Sequence, residues 1–326
     1  MTQLPAWQPP PPLTTSVEQI RPPAPKISTF GGTQVLRPDV VRVRLPMVNA
    51  YLLGLPGDPW VLVDAGMPGT AGMIRAAADK YHAGKPPAAI VLTHGHLDHI
   101  GGLHNLLQAW KVPVYAHQLE LPYLTGQVPY PFPDPSVGGV MSLLSPAFVP
   151  GPFDFRPHIQ ALPSAGEVPN LAGWRWLHTP GHSAGHVSLW RDADRTLIAG
   201  DAFVTTKQES AVGALTQRPT LVHRPPAYYT PNWDAARESV RLLAALSPAL
   251  AATGHGHPMT EEQMDLDLER LARNFDEAAR PLRGWYLKRP VPVALPQPGT
   301  SDPLKNIVLG TLAAAGVALL LRRVRR

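Results

Sequence analysis

From residue 40 onward the chain alternates short apolar runs with longer stretches of helical spacing. Residues 40–45 alternate valine and arginine, the two-residue period of a strand with one face buried. Residues 49–55 and 60–63 follow, separated by Pro56-Gly57-Asp58, a turn sequence. Together they predict an antiparallel meander. Residues 70–82 carry Ala71, Ile74, Ala77 and Ala78 at helical spacing. Residues 88–92 form an apolar run of strand length, and Leu103, Leu106, Leu107 and Trp110 make a second helix face. A short strand is expected over 112–116. The second half repeats the alternation: strands over 174–177, 187–190 and 196–199, then a helix capped by Asn232 and holding Ala235, Val240, Leu242, Leu243 and Leu246. A last strand over 249–253 precedes a helix over 261–279 with Met264, Leu268, Leu271 and Phe275 on one face.

Proline divides the chain further. Its 40 copies crowd the first 26 residues, the stretch 122–169 and the segment 281–303. Residues 1–36 therefore read as a proline-rich disordered arm, 37–285 as the main domain, 286–303 as a proline-rich linker and 304–326 as an apolar tail helix with a basic end. Residues 122–152 lack periodicity but hold Tyr123, Tyr130, Phe132 and Phe148, and suit a wall or lid over an apolar pocket. Residues 307–321 carry no charge and reach roughly 22 Å as a helix at about 1.5 Å per residue, short of a hydrocarbon core of about 30 Å. This tail is a candidate short membrane anchor, with packing on the body or on a second copy as the alternative.

Charge and cysteine usage narrow the chemistry. The net charge of +5 owes four units to Arg322, Arg323, Arg325 and Arg326, leaving the body close to neutral. A body without basic excess is a poor holder of phosphate backbones, so no nucleic-acid partner is expected. Cysteine is absent, so any metal site must use histidine and carboxylate donors. The first residues lack the basic and apolar regions of a secretory signal, so the expectation is a cytoplasmic body, with residues 304–326 as a candidate contact to the inner face of the membrane.

The run 89–102, Ala-Ile-Val-Leu-Thr-His-Gly-His-Leu-Asp-His-Ile-Gly-Gly, concentrates the chemistry. A buried strand ends at Thr93, and the glycines open a helix, so His94, His96, Asp98 and His99 sit on the turn between them. His94 and His96, two apart, point the same way in an extended turn; Asp98 and His99 face a second point a few ångströms off. Such crowding suits Zn²⁺ or Fe²⁺. The run resembles the metal motif of the metallo-β-lactamase superfamily. A second stretch, Thr179-Pro180-Gly181-His182-Ser183-Ala184-Gly185-His186, resembles the next motif of the same superfamily, and Gly200-Asp201 and Gly254-His255 follow strands in the expected order.

The resemblance covers roughly residues 37–285 and implies an α+β fold, the four-layer αβ/βα sandwich, with the site on loops at one edge of the two sheets. It implies that His94, His96 and His182 hold one metal, that Asp98, His99 and His255 hold a second, and that Asp201 bridges them. Asp64 would support the site through a hydrogen bond to a ligand. His186, His178 and His104 read as structural or surface residues, and His257 is the alternative to His255. The cofactor expected is Zn²⁺, two per chain, with iron as the other option. A water between two such cations loses a proton near neutral pH and would attack an ester-like carbonyl, with Asp98 orienting it. The expected substrate is a small-molecule ester, thioester or lactone. Phe203 and Val204 stand where lactonases of the superfamily usually carry a tyrosine after the bridging aspartate, although Tyr228 or Tyr229 could supply a phenol from another direction. Arg270, Arg273, Arg280 and Arg283 lie where glyoxalase II-type enzymes bind glutathione, but arginines on a helix surface are ordinary. Two other readings stay open: an iron-dependent oxygenase of a glutathione persulfide, and a non-catalytic membrane-tethered binding module.

Overall fold

A computed structural model describes residues 30–148, 150–299 and 302–324. Most of the expected arm lies outside the described residues. Its end does not: Thr33–Arg37 is already a strand, β1, so the folded body starts ahead of residue 37. It pairs antiparallel with β2 (Val40–Arg44), which leads through β3 (Asn49–Leu53) to β4 (Val61–Val63), the expected meander. Then β5 (Ala89–Val91), β6 (Val114–Ala116) and β7 (Ile159–Ala161) add in parallel, completing a seven-stranded sheet in sequence order. The second sheet holds β8 (Trp174–His178), β9 (Val187–Arg191), β10 (Thr196–Gly200), β11 (Leu250–Thr253) and β12 (Met259–Thr260), with β10 and β11 parallel.

The two-residue strand period builds the layers. In the first sheet Val41, Val43, Leu52, Leu62 and Ile90 face the helices Ala71–His82 and Leu103–Trp110. Their neighbours Val40, Leu53, Val61, Val63 and Val91 face inward and meet Leu189, Ile198 and Ala252 of the second sheet. On that sheet's outer side Leu197, Ala199 and Ala251 pack on the helices Trp233–Ala245 and Glu261–Arg273. The result is the four-layer αβ/βα sandwich. Burying a leucine or valine is worth about 1.5–3 kcal/mol, so strands covered on both sides are the firmest part of the molecule.

Several details depart from the sequence pattern. β2 is buried along its whole length, arginines included, because the second half of the chain covers the face expected to be open. Arg42 is tolerated there because its guanidinium donates to Asn49 Oδ1 (2.9 Å), the Gly256 carbonyl (3.2 Å) and the Gln217 side chain. Leu242 is exposed, and Ala236 takes its place in the buried stripe. The helix expected over 261–279 stops at Arg273 and restarts at Phe275. The segment read as a linker lies against the body, where Tyr286 is buried and donates to the Phe132 carbonyl (2.6 Å). Pro303–Val324 is a helix whose Leu304 packs on Phe132 and Tyr286. No described helix is long and apolar enough to cross a membrane, which corrects the spanning form of the expected anchor; the uncharged run is too short for it.

Candidate metal centre

The two parallel pairs, β4–β5 and β10–β11, bring four strand ends to one edge of the sandwich. Asp64 follows β4, Thr93 and His94 follow β5, Asp201 follows β10, and His255 follows β11. His182 arrives on the loop between β8 and β9. All seven residues expected to ligate metal meet here. His94, His96 and His182 form one cluster, Asp98, His99 and His255 another, and Asp201 joins His94 and His99 between them; within each cluster one donor atom per residue lies within 4.8 Å of the others. Asp201 Oδ2 lies 3.0 Å from His255 Nε2, 3.5 Å from His99 Nε2 and 3.5 Å from His182 Nε2. Asp98 Oδ2 is 3.3 Å from His255 Nε2, and its side chain is the only one of these donors substantially open to solvent, 26% exposed.

Hydrogen bonds behind the donors fix their orientation. Asp64, at φ 61, adopts a left-handed conformation uncommon outside glycine. From there its carboxylate accepts from the Thr93 amide and hydroxyl (both 2.8 Å), and its Oδ2 lies 2.8 Å from His99 Nδ1. The Met47 carbonyl holds His255 Nδ1 at 2.6 Å. His186 is no part of the clusters; its Nε2 accepts from the Asp201 amide at 2.8 Å and so positions that residue. Gly254 allows the closest approach: a methyl group there would lie 2.0 Å from Asp201 Oδ1. His178 stacks on His117 (4.2 Å), His104 is exposed, and His257 faces Arg42 at 3.2 Å, away from the donors.

Glu120 was not singled out by the sequence. It is fully buried and ties both histidine loops together. Its carboxylate accepts from the Gly95 amide (3.1 Å), the Gly185 amide (2.7 Å), the Ser183 hydroxyl (2.7 Å) and the Tyr130 hydroxyl. The apolar setting Leu119-Glu120-Leu121-Pro122 was the one signal available.

The donor set fits a cation on its own terms. Buried polar atoms are almost always paired, yet His94 Nε2, His99 Nε2 and Asp201 Oδ1 are buried without a hydrogen-bond partner. Burial and the neighbouring imidazoles hold His94 and His182 well below the ordinary histidine range. Burial likewise brings His96 down to about 4, so these rings are neutral donors. Burial works against charge at His255 too, yet Asp201 and Asp98 push it up to about 10; Asp201, Asp64 and Asp98 likewise raise His99. The carboxylates thus draw positive charge to the place between them, which is where a metal would compete with protons.

Aromatic rings flank the exposed side. Tyr229 stacks on His96 (4.2 Å, 25°), and Tyr130 lies 5.0 Å from the same ring. Burial and the Asp98 charge hold Tyr228 well above the usual phenol range, so it remains a donor. Phe203 and Val204 are wholly buried and form no part of this face.

The family model of the metallo-beta-lactamase superfamily matches residues 43–255. The probable metallo-hydrolase YflN of Bacillus subtilis is 47% identical over 233 residues, 70% of this chain and 88% of that protein. The probable metallo-hydrolase YybB of the same organism is 31% identical over 218 residues, 66% of this chain and 83% of its own. A solved beta-lactamase domain protein from Burkholderia ambifaria superposes with a TM-score of 0.53 at 22% identity, over 78% of each chain. A metallo-beta-lactamase family protein from Thermus thermophilus gives 0.50 at 22% identity, over 74% of this chain and 80% of that one. These two structures share the fold.

Proposed function

This chain belongs to the metallo-beta-lactamase superfamily, and from that premise we propose that it is a dinuclear metallo-hydrolase, with zinc as the native metal, that cleaves an ester-like bond: a thioester, a lactone or a related ester. One observation carries the reading: seven buried or half-buried donors form overlapping clusters in which His94 Nε2, His99 Nε2 and Asp201 Oδ1 have no protein partner. His94, His96 and His182 would hold one cation, Asp98, His99 and His255 the other, with Asp201 between. Bound there, the cations would supply Lewis acidity and an activated water near neutral pH.

The chain's own residues do the rest. Asp98, the open donor, orients the attacking water. Asp64 and the Met47 carbonyl keep His99 and His255 in one ring orientation. The Tyr228 and Tyr229 phenols line the chamber beside His96 and His182, and donate to the substrate's oxygens. Zinc and iron accept the same donors. Location in the cytoplasm, with the tail at the inner membrane face, belongs to the same proposal.

The test is turnover. Protein stripped by a chelator should hydrolyse none of a panel of short thioesters, lactones and aryl esters. Zinc or iron should restore activity toward at least one class, and Asp98→Asn should lower kcat more than it raises KM. A metal-loaded, folded sample that turns over none of the panel would contradict the hydrolase reading.

A further inference from the structure

The space around the metal centre is uneven. Beside His96 and His182 the chamber formed with Tyr130, Tyr228 and Tyr229 leaves about 10 Å³, near the least that admits one water. A second cavity of about 700 Å³ lies next to it, inside the roughly 300–1,000 Å³ range of small-molecule sites. The two share Tyr123, Tyr130, Pro131, Tyr286, Val291 and Pro292 as walls. A ligand with its reacting carbon at the metals therefore has no room for bulk beside that carbon. On this side bulk has to lie beyond the tyrosines that the two spaces share, of which Tyr123 and Tyr130 stack flat on each other at 4.1 Å.

The outer cavity is apolar where a ligand would lie. Val128, Pro129, Trp285, Ala294, Leu295 and Pro296 line it. Its charged residues are already engaged. Asp302 accepts from the amides of Phe132 (2.7 Å), Leu304 (2.9 Å) and Lys305 (3.1 Å), and the Arg289 guanidinium lies 4.2 Å over the Trp285 ring.

We infer that the substrate is an ester or thioester bearing a hydrocarbon chain of several carbons, which threads past Tyr130 and Tyr286 into the cavity between residues 123–131 and 285–299. The inference rests on the hydrolase reading and narrows its substrate. A narrow throat opening on an apolar chamber selects a slim chain over a ring or a charged carrier. The chain belongs to either the acyl or the alcohol side of the ester, and both place the same chemistry in the cavity.

Two substrate series separate the sides: methyl esters of straight-chain acids from two to ten carbons, and acetate esters of straight-chain alcohols over the same lengths. Calorimetric titration of the matching free acids and alcohols supplies a readout independent of turnover. In one series kcat/KM should climb about fourfold per methylene, equivalent to about 0.8 kcal/mol, and level off once the cavity is filled. The corresponding acid or alcohol should bind more tightly along the same series. Ala294→Trp and Val291→Trp, which put an indole into the cavity, should flatten both trends, read as the long-chain to short-chain ratio within each variant. Turnover and binding without dependence on length, or a slope that survives in both variants, would overturn the inference. Length-dependent binding with no turnover of any ester would retire the hydrolase reading and keep the chain site.

Discussion

The two ends of the proposed substrate path are built by different rules. At the metal end His99, His255 and Asp201 each have a hydrogen-bonding partner behind them: the Asp64 carboxylate, the Met47 carbonyl and, through the Asp201 amide, His186. At the outer end the walls are proline, valine, leucine and aromatic rings held mainly by packing, with Tyr286 to Phe132 among the few polar ties. The difference separates two demands. Holding cations needs donors placed within tenths of an ångström, which only directional bonds enforce. Accepting a chain needs volume and dryness, which packing supplies without fixing any one atom.

Substitutions can break this contrast, beginning with the largest effect. Asp201→Ala removes the donor common to the centre. Since losing a residue that merely orients a ligand costs about 10–100-fold in metal affinity or activity, this variant should lose at least about 100-fold in kcat/KM and part of its metal, measured by kinetics and elemental analysis. Glu120→Gln comes next. It places an amide N–H₂ among four donors, so at least one buried group goes unpaired, at about 1–3 kcal/mol. Metal affinity measured by competition with a chelator should fall roughly 10–100-fold. An unchanged affinity would mean that the two histidine loops do not depend on their shared carboxylate. At the outer end, Tyr286→Phe deletes one hydrogen bond and leaves the ring. It should lower stability by about 0.5–1.5 kcal/mol in denaturant unfolding, with metal content unaltered.

The smallest effect belongs to a region outside both ends. Burial alone would raise the Glu209 carboxylate, but His223, Arg224 and the Ala227 amide bring it down to about 2. A carboxylate lowered on folding stabilises the folded form above its unfolded range near 4.5, and that contribution fades as pH falls toward about 2. The stability advantage of the parent over Glu209→Gln should therefore be full at neutral pH and shrink across that window, while metal content stays the same. An advantage independent of pH would point to packing instead.

Legibility in the sequence follows the same divide. Four of the donors fall within six residues after an apolar strand, and the rest sit at strand ends or beside glycine, so the motif could be read locally. The layers were legible too, because a two-residue or helical period survives wherever one face is buried. The parts that escaped reading depend on distance in the chain. Glu120 meets Gly185 across 65 positions, and Arg42 meets His257 across 215. Alternation made Arg42 look solvent-facing, since no local pattern tells that a second sheet will cover it. The proline-rich segment after residue 285 read as a linker because proline removes periodicity, yet rigid proline turns are also what let it lie against the body as a wall.

The most direct measurement is metal content of protein purified without added metal, beside Asp201→Ala. Close to two zinc ions per chain, falling in the variant, is the expected result. A folded sample that holds no metal and refuses added zinc would contradict the reading of His94, His96, Asp98, His99, His182, Asp201 and His255 as a dinuclear centre.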